Sequence, residues 1–300
     1  MKKKTYLFAL MAMALTLGSC SDNENGIGGE TSKYITVSTS IGNMTRVATD
    51  EKGGQTFEEG DEISVYAWTG DATIAPETRE RVVNNAINKL TNGSWVSTPQ
   101  MLWKNNRDKH YFIGVYPTAA ISDLTAGEYT FDVNKQTESD LLVAVNKDGL
   151  SYNVDEQQPV PLTFTHVMAK LAVNLTYKNQ WGGIPTVEKV VVGNAAKEAT
   201  INYLTKVVTP STTAKEDFSL PEITENTKYV SVIIPQEDVK QLTIVIGGKN
   251  FVYDNGTPFK LESGKITTVN LEVGRDEIKL GDVKITNWED GSTFSGEALN

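Results

Sequence analysis

The chain has 300 residues, with 38 acidic against 28 basic side chains and a net charge of −10. Such a surface repels nucleic acid and anionic lipid headgroups, which excludes nucleic-acid binding as a function class. One cysteine, Cys20, excludes a disulfide framework, and the length exceeds a single typical domain of about 100–150 residues, so two domains are expected.

The first residues set the compartment. Lys2, Lys3 and Lys4 give a basic start, and residues 5–17 are apolar apart from two threonines and a tyrosine. That run is shorter than the roughly 20 residues a spanning helix needs, and it reads as a secretory signal. The break Leu17-Gly18-Ser19-Cys20 resembles a bacterial lipobox, in which Cys20 is lipidated and becomes the first residue of the mature chain. Residues 1–19 are then a signal peptide, and their removal takes away three lysines and no acids, moving the net charge from −10 to −13. Residues 20–32, acidic at Ser21-Asp22-Asn23-Glu24-Asn25 and glycine-rich after it, form a flexible tether. The acidic stretch is similar to the address that sends some bacterial lipoproteins across the outer membrane to the cell surface.

Beyond the tether the dominant period is two. Tyr34 to Ile41 alternates and is rich in β-branched residues, which predicts a first strand. Ile63 to Trp68 follows an acidic turn at Glu58-Glu59-Gly60-Asp61. Residues 77–89 carry both charges and apolar positions and fit a helix or a strand equally. Asn92-Gly93, between Lys89-Leu90-Thr91 and Ser94-Trp95-Val96, is a hairpin signal. Strands are expected at Tyr111–Tyr116, Leu141–Val145, Leu171–Tyr177, Val187–Val192 and Tyr229–Ile234. The pair Leu242–Ile246 and Phe251–Tyr253 turns through Gly247 to Asn250, and Ile266–Val273 and Val283–Trp288 close the series. Two prolines and four polar residues at Asp155 to Pro161 place the domain border between residues 160 and 161, giving an N-terminal β-sandwich over 33–160 and a C-terminal one over 161–300.

The sequence offers little for catalysis. His110 and His166 belong to no metal-spaced set, no His-Glu-x-x-His pair or Gly-x-Ser-x-Gly elbow occurs, and lipidation of Cys20 leaves no thiol. No catalytic residue, metal or cofactor is expected, and the chain reads as a non-enzyme. His166 is expected to be half-buried and hydrogen-bonded where strands or domains meet. Of the five tryptophans, Trp68, Trp95 and Trp288 lie in strand patterns, whereas Trp103 and Trp181 lie near polar turns and are the candidates for an exposed glycan contact.

Several segments together resemble one family. Phe57-Glu58-Glu59-Gly60-Asp61-Glu62-Ile63, Trp103 followed by His110 to Pro117, Asp140 to Ala144, Leu162 to Leu171, and Leu261 to Ile266 through Ile285-Thr286-Asn287-Trp288 are similar to blocks of the fimbrillin-like lipoproteins of Bacteroides-type bacteria, the subunits of type V pili. The resemblance implies two tandem transthyretin-like β-sandwiches, export as an outer-membrane lipoprotein, and assembly into adhesive surface fimbriae. It also implies maturation by a trypsin-like cut after an arginine, loss of the first strand, and acceptance of a strand from another pilin subunit. The candidate cut lies between Arg46 and Val47, just after Tyr34–Ile41, whose Tyr34, Ile35, Val37 and Ile41 form the displaceable first strand. The residues after Trp288 make a poor donor, which leaves tip or anchor roles beside a stalk role. Partners are other pilin subunits, host or bacterial receptors or glycans, and the membrane through the lipid. The alternative function is a surface glycan-binding lipoprotein of a nutrient-capture system.

Overall fold

The computed structural model describes residues 33–42, 56–153, 158–254 and 256–288. Along the chain the strands are β1 Val37–Ile41, β2 Glu62–Thr69, β3 Val83–Thr91, β4 Ser94–Thr98, β5 His110–Tyr116, β6 Gly127–Thr130, β7 Leu142–Leu150, β8 Val160–His166, β9 Ala169–Tyr177 and β10 Val187–Ala196. They continue as β11 Glu198–Asn202, β12 Val207–Pro210, β13 Lys215–Ser219, β14 Glu222–Thr224, β15 Lys228–Ile233, β16 Gln241–Ile246, β17 Lys249–Asp254, β18 Lys265–Val273 and β19 Ile278–Asn287. A one-turn helix, α1 Gln136–Ser139, is the longest helical piece among the described residues.

Among the described residues the strands form four sheets, with orders β1-β8-β7-β5-β2-β3-β4, β13-β10-β16-β17, β12-β11-β6 and β14-β15-β9-β18-β19. In the seven-stranded sheet the middle strands are buried on both faces. Ile63, Val65 and Ala67 of β2 point into a cluster with Ile35, Val37, Phe112, Leu162 and Phe164. Tyr66 and Trp68 point the other way, into a larger cluster that runs on through the remaining three sheets. The continuous apolar run of β2 is thus the sequence of a strand covered on both sides.

Local chemistry explains the turns. Asn92 and Gly93 both take positive φ, 50° and 73°, which the two-residue turn between β3 and β4 requires. Gly247 and Gly248 do the same between β16 and β17, so Lys249 and Asn250, expected in the turn, belong to the strand. The ambiguous stretch 77–89 resolves into a single 3-10 turn at Thr78–Glu80 followed by β3, because pairing with β2 and β4 outweighs a weak helical preference.

The fold is all-β, built as β-sandwiches of packed sheets. The halves are nonetheless interleaved, since β6 pairs with β11. The expected border between residues 160 and 161 falls inside β8, and the change of sheet comes at Val167-Met168 instead. Pro161 is tolerated there because the β7–β8 ladder starts only at Phe164, so its missing N–H has no partner to lose. Its carbonyl accepts from the Asn146 side chain.

Candidate functional site

The site is the edge formed by β1. Ile35, Val37, Thr39 and Ile41 alternate towards the interior, where Ile35 and Val37 are only 3% and 6% exposed. β1 lies parallel to β8, from Val37 opposite Val160 to Ile41 opposite Phe164. Val160 N–H donates to the Thr36 carbonyl and Gly42 N–H to the Phe164 carbonyl, each at 2.8 Å. Ahead of β1, Ile35 N–H donates to the Met101 carbonyl at 2.8 Å and Trp103 N–H to the Lys33 carbonyl at 3.2 Å. The expected strand from Tyr34 is therefore shorter: Tyr34 makes an isolated bridge to Leu102 and is 46% exposed, while Ile35 is the inward anchor.

The free edge of β1 faces the far end of the same sheet across an open groove of about 600 Å³ lined by Phe57, Leu90, Gly93 and Trp95. Among the described residues no ladder closes the gap. A side-chain bond crosses it, Trp95 Nε1–H donating to Thr39 Oγ1 at 3.0 Å. Phe57 packs edge-on against Trp95, Tyr116 and Phe164 at centroid distances of 5.1–5.4 Å, forming the floor beneath Ile41.

A second edge has the opposite character. Among the described residues β19 pairs only with β18. Ile278, Leu280, Val283 and Ile285 lie opposite Val273, Leu271, Val269 and Thr267, all buried; Ile278 packs on the core cluster, and the other three run past the covering layer. Leu280, Val283 and Ile285 are 37–39% exposed. The alternation slips by one residue at Gly281-Asp282, a bulge opposite Asn270. A side chain at Gly281 would come within 3.2 Å of the Asn270 carbonyl oxygen. Sequence reasoning found only Val283 onward because the bulge breaks the period; the pair Ile278 and Leu280 before it was the available signal.

Among the other named residues, His166 ends β8 with its Nδ1 2.6 Å from Asp140 Oδ1 and its ring stacked on Trp288 at 4.0 Å. Trp103 is half-buried against His110, Phe112 and Tyr152. Trp181 is half-buried against Phe251, with its Nε1–H donating to the Val273 carbonyl at 3.0 Å and Arg275 over its ring. These two rings belong to different apolar clusters, so they do not form one binding face. Cys20, Arg46 and Val47 lie outside the described residues. Among the described residues no group of three or more His, Cys, Asp or Glu is arranged to hold a metal, and no helix is long and apolar enough to cross a membrane.

The family model described as fimbrillin-like matches residues 45–288, beginning just beyond β1 and ending on Trp288. The chain belongs to the fimbrillin-like family. Among similar proteins, one named as a fimbrium subunit, Fim1C of Bacteroides uniformis, is 24% identical over 97% of both chains. Two crystal structures share the fold of this fimbrillin-like chain, both described as cell adhesion proteins. The one from Bacteroides uniformis has a TM-score of 0.63 at 20% identity, covering 86% of this chain and all of its own. The one from Bacteroides ovatus has a TM-score of 0.62 at 18% identity, covering 85% and 98%.

Proposed function

We propose that this fimbrillin-like chain is a subunit of an adhesive surface fimbrium that is lipid-anchored through Cys20 before maturation and polymerises by strand exchange. A cut between Arg46 and Val47 separates β1 from the body. Once β1 leaves, β8 presents unpaired backbone groups, and the hollows vacated by Ile35, Val37 and Ile41 open beside them. Such an edge templates a new strand, with backbone bonds giving affinity and alternate hollows giving register.

The observation that carries this reading is the placement of β1: an edge strand on one ladder, with alternate apolar side chains sunk in the core. β19 suits the donor role, since its alternate apolar row is uncovered on its own fold. A chain holding both a fillable groove and an uncovered strand has the two junctions of a stalk subunit, which favours stalk over tip or anchor. The reading puts the protein at the cell surface, consistent with relatives described as fimbrial or adhesive.

The test is limited trypsin digestion of the purified mature chain with sequencing of the new N-terminus. The expected first product starts at Val47, loses the β1 segment and forms oligomers. Resistance at Arg46 while other sites are cut, or a clean cut that leaves monomers with β1 still bound, would overturn it.

A further inference from the structure

We propose that Trp288 is a latch that holds β19 on its own sheet and thereby keeps the strand from being offered prematurely. The inference rests on reading β19 as the strand that is handed over. A ten-residue edge strand whose own side chains are exposed or half-exposed is held mainly by its ladder to β18, with Ile278 packed on the core at its start, and backbone bonds at a solvated edge contribute little net stability each. The residue that follows immediately is different in kind. Trp288 is 3% exposed, and its N–H donates to the Gly264 carbonyl at 2.9 Å.

Its ring has two close neighbours. The His166 imidazole lies stacked on it, at 4.0 Å and 8° from parallel. Lys170 Nζ sits 4.1 Å from the ring centroid, a cation over an aromatic face. Asp140 fixes the imidazole through its 2.6 Å contact with Nδ1. The support beneath the ring is equally tight. Gly264, at φ +67°, donates its N–H to the Met168 carbonyl at 2.8 Å, and any side chain there would meet the His166 carbonyl oxygen at 3.2 Å. Ser263 Oγ–H donates to the Val167 carbonyl at 2.8 Å. The ring is therefore seated at the point where the chain leaves the first sheet, on residues contributed by β8 and β9. For β19 to detach fully, this ring must come out of its seat first.

The test is hydrogen–deuterium exchange on the full chain, following the amides of β19 against those of β5, β9 and β18. Trp288→Ala is expected to speed exchange across β19 about tenfold or more, the size of effect a lost aromatic contact supplies, while β5 and β9 keep their wild-type rates. Trp288→Phe should restore most of the protection. His166→Ala, which removes the stacked imidazole and keeps the tryptophan, should give a smaller rise confined to β19, and it carries the test should Trp288→Ala not fold. Exchange in β19 unchanged within about twofold in both variants would overturn the latch, as would β5 and β9 rising in step with β19, the mark of a general core residue. In trypsin-matured protein the His166→Ala chain should polymerise faster than wild type. If matured wild-type protein never polymerises, the strand-transfer reading fails, and the exchange pattern still decides the latch.

Discussion

β1 and β19 are both outermost strands with an alternating apolar row, yet one row is buried and the other is not. Ile35 and Val37 sink into the cluster shared with Phe112 and Phe164, whereas Leu280, Val283 and Ile285 continue a buried row out past its cover. The contrast shows that an edge strand can be held by its side chains or by its backbone, and the two kinds of attachment fail differently. A strand held by core burial resists departure until the chain linking it to the body is cut. A strand held by its ladder and one terminal ring can leave and return, which is what a donor needs.

This comparison can be broken by unequal responses to the same substitution. The largest effect is expected from Val37→Asp, which places a carboxylate in a hollow that is 6% exposed. Denaturant unfolding should register a loss of about 3 kcal/mol or more. The matching change on the other edge, Val283→Asp, should move unfolding stability by less than about 0.5 kcal/mol, since the site is already solvated. Its expected consequence lies in assembly, where size-exclusion chromatography of the trypsin-matured chain should show oligomers lost. Equal losses of stability in the two variants would erase the distinction drawn here. A smaller effect is expected from Trp95→Phe, which removes the side-chain bond from Trp95 Nε1 to Thr39 across the groove. A loss of about 1 kcal/mol in unfolding, with faster departure of β1 after trypsin, would show that this bond helps retain the strand.

The smallest and most general test uses pH. Burial pushes the Tyr129 hydroxyl up to about 12, against a smaller opposing effect of the Ser139 side chain, and burial raises Tyr203 as well. Each folded-state value lies above the unfolded value of about 10, so the stabilisation is complete below pH ~10 and is lost as pH rises towards 12. Because Tyr129 lies on β6, which pairs with β11 and not with either edge, alkaline loosening should speed exchange at β6 and β11 before β1 departs. Exchange mass spectrometry across that pH range checks the order.

Much of the fold was legible in the sequence because strand alternation and turn chemistry are local. Asn92-Gly93 and Gly247-Gly248 marked their hairpins through the positive φ such turns demand. Ile63 to Trp68 and Ile266 to Val273 showed themselves as strands through β-branched and apolar runs. Other features depended on contacts far along the chain. Pro159 and Pro161 suggested a border, but docking of β1 on β8 keeps that stretch in the first sheet. Trp103 and Trp181 sit beside polar turns, yet packing partners from elsewhere claim their rings.

By itself the sequence determined an all-β chain and the position of its first strand, since each is written in residue type and short spacing. Only the tertiary structure decided which apolar rows are covered, that β1 is sunk while β19 is bare, and that His166, Lys170 and Trp288 meet in one stack. Coverage is set by which sheet lies over which, and that is a property of pairings between residues far apart in the chain, such as Val37 with Val160 and Lys170 with Ile266, to which local periodicity is blind.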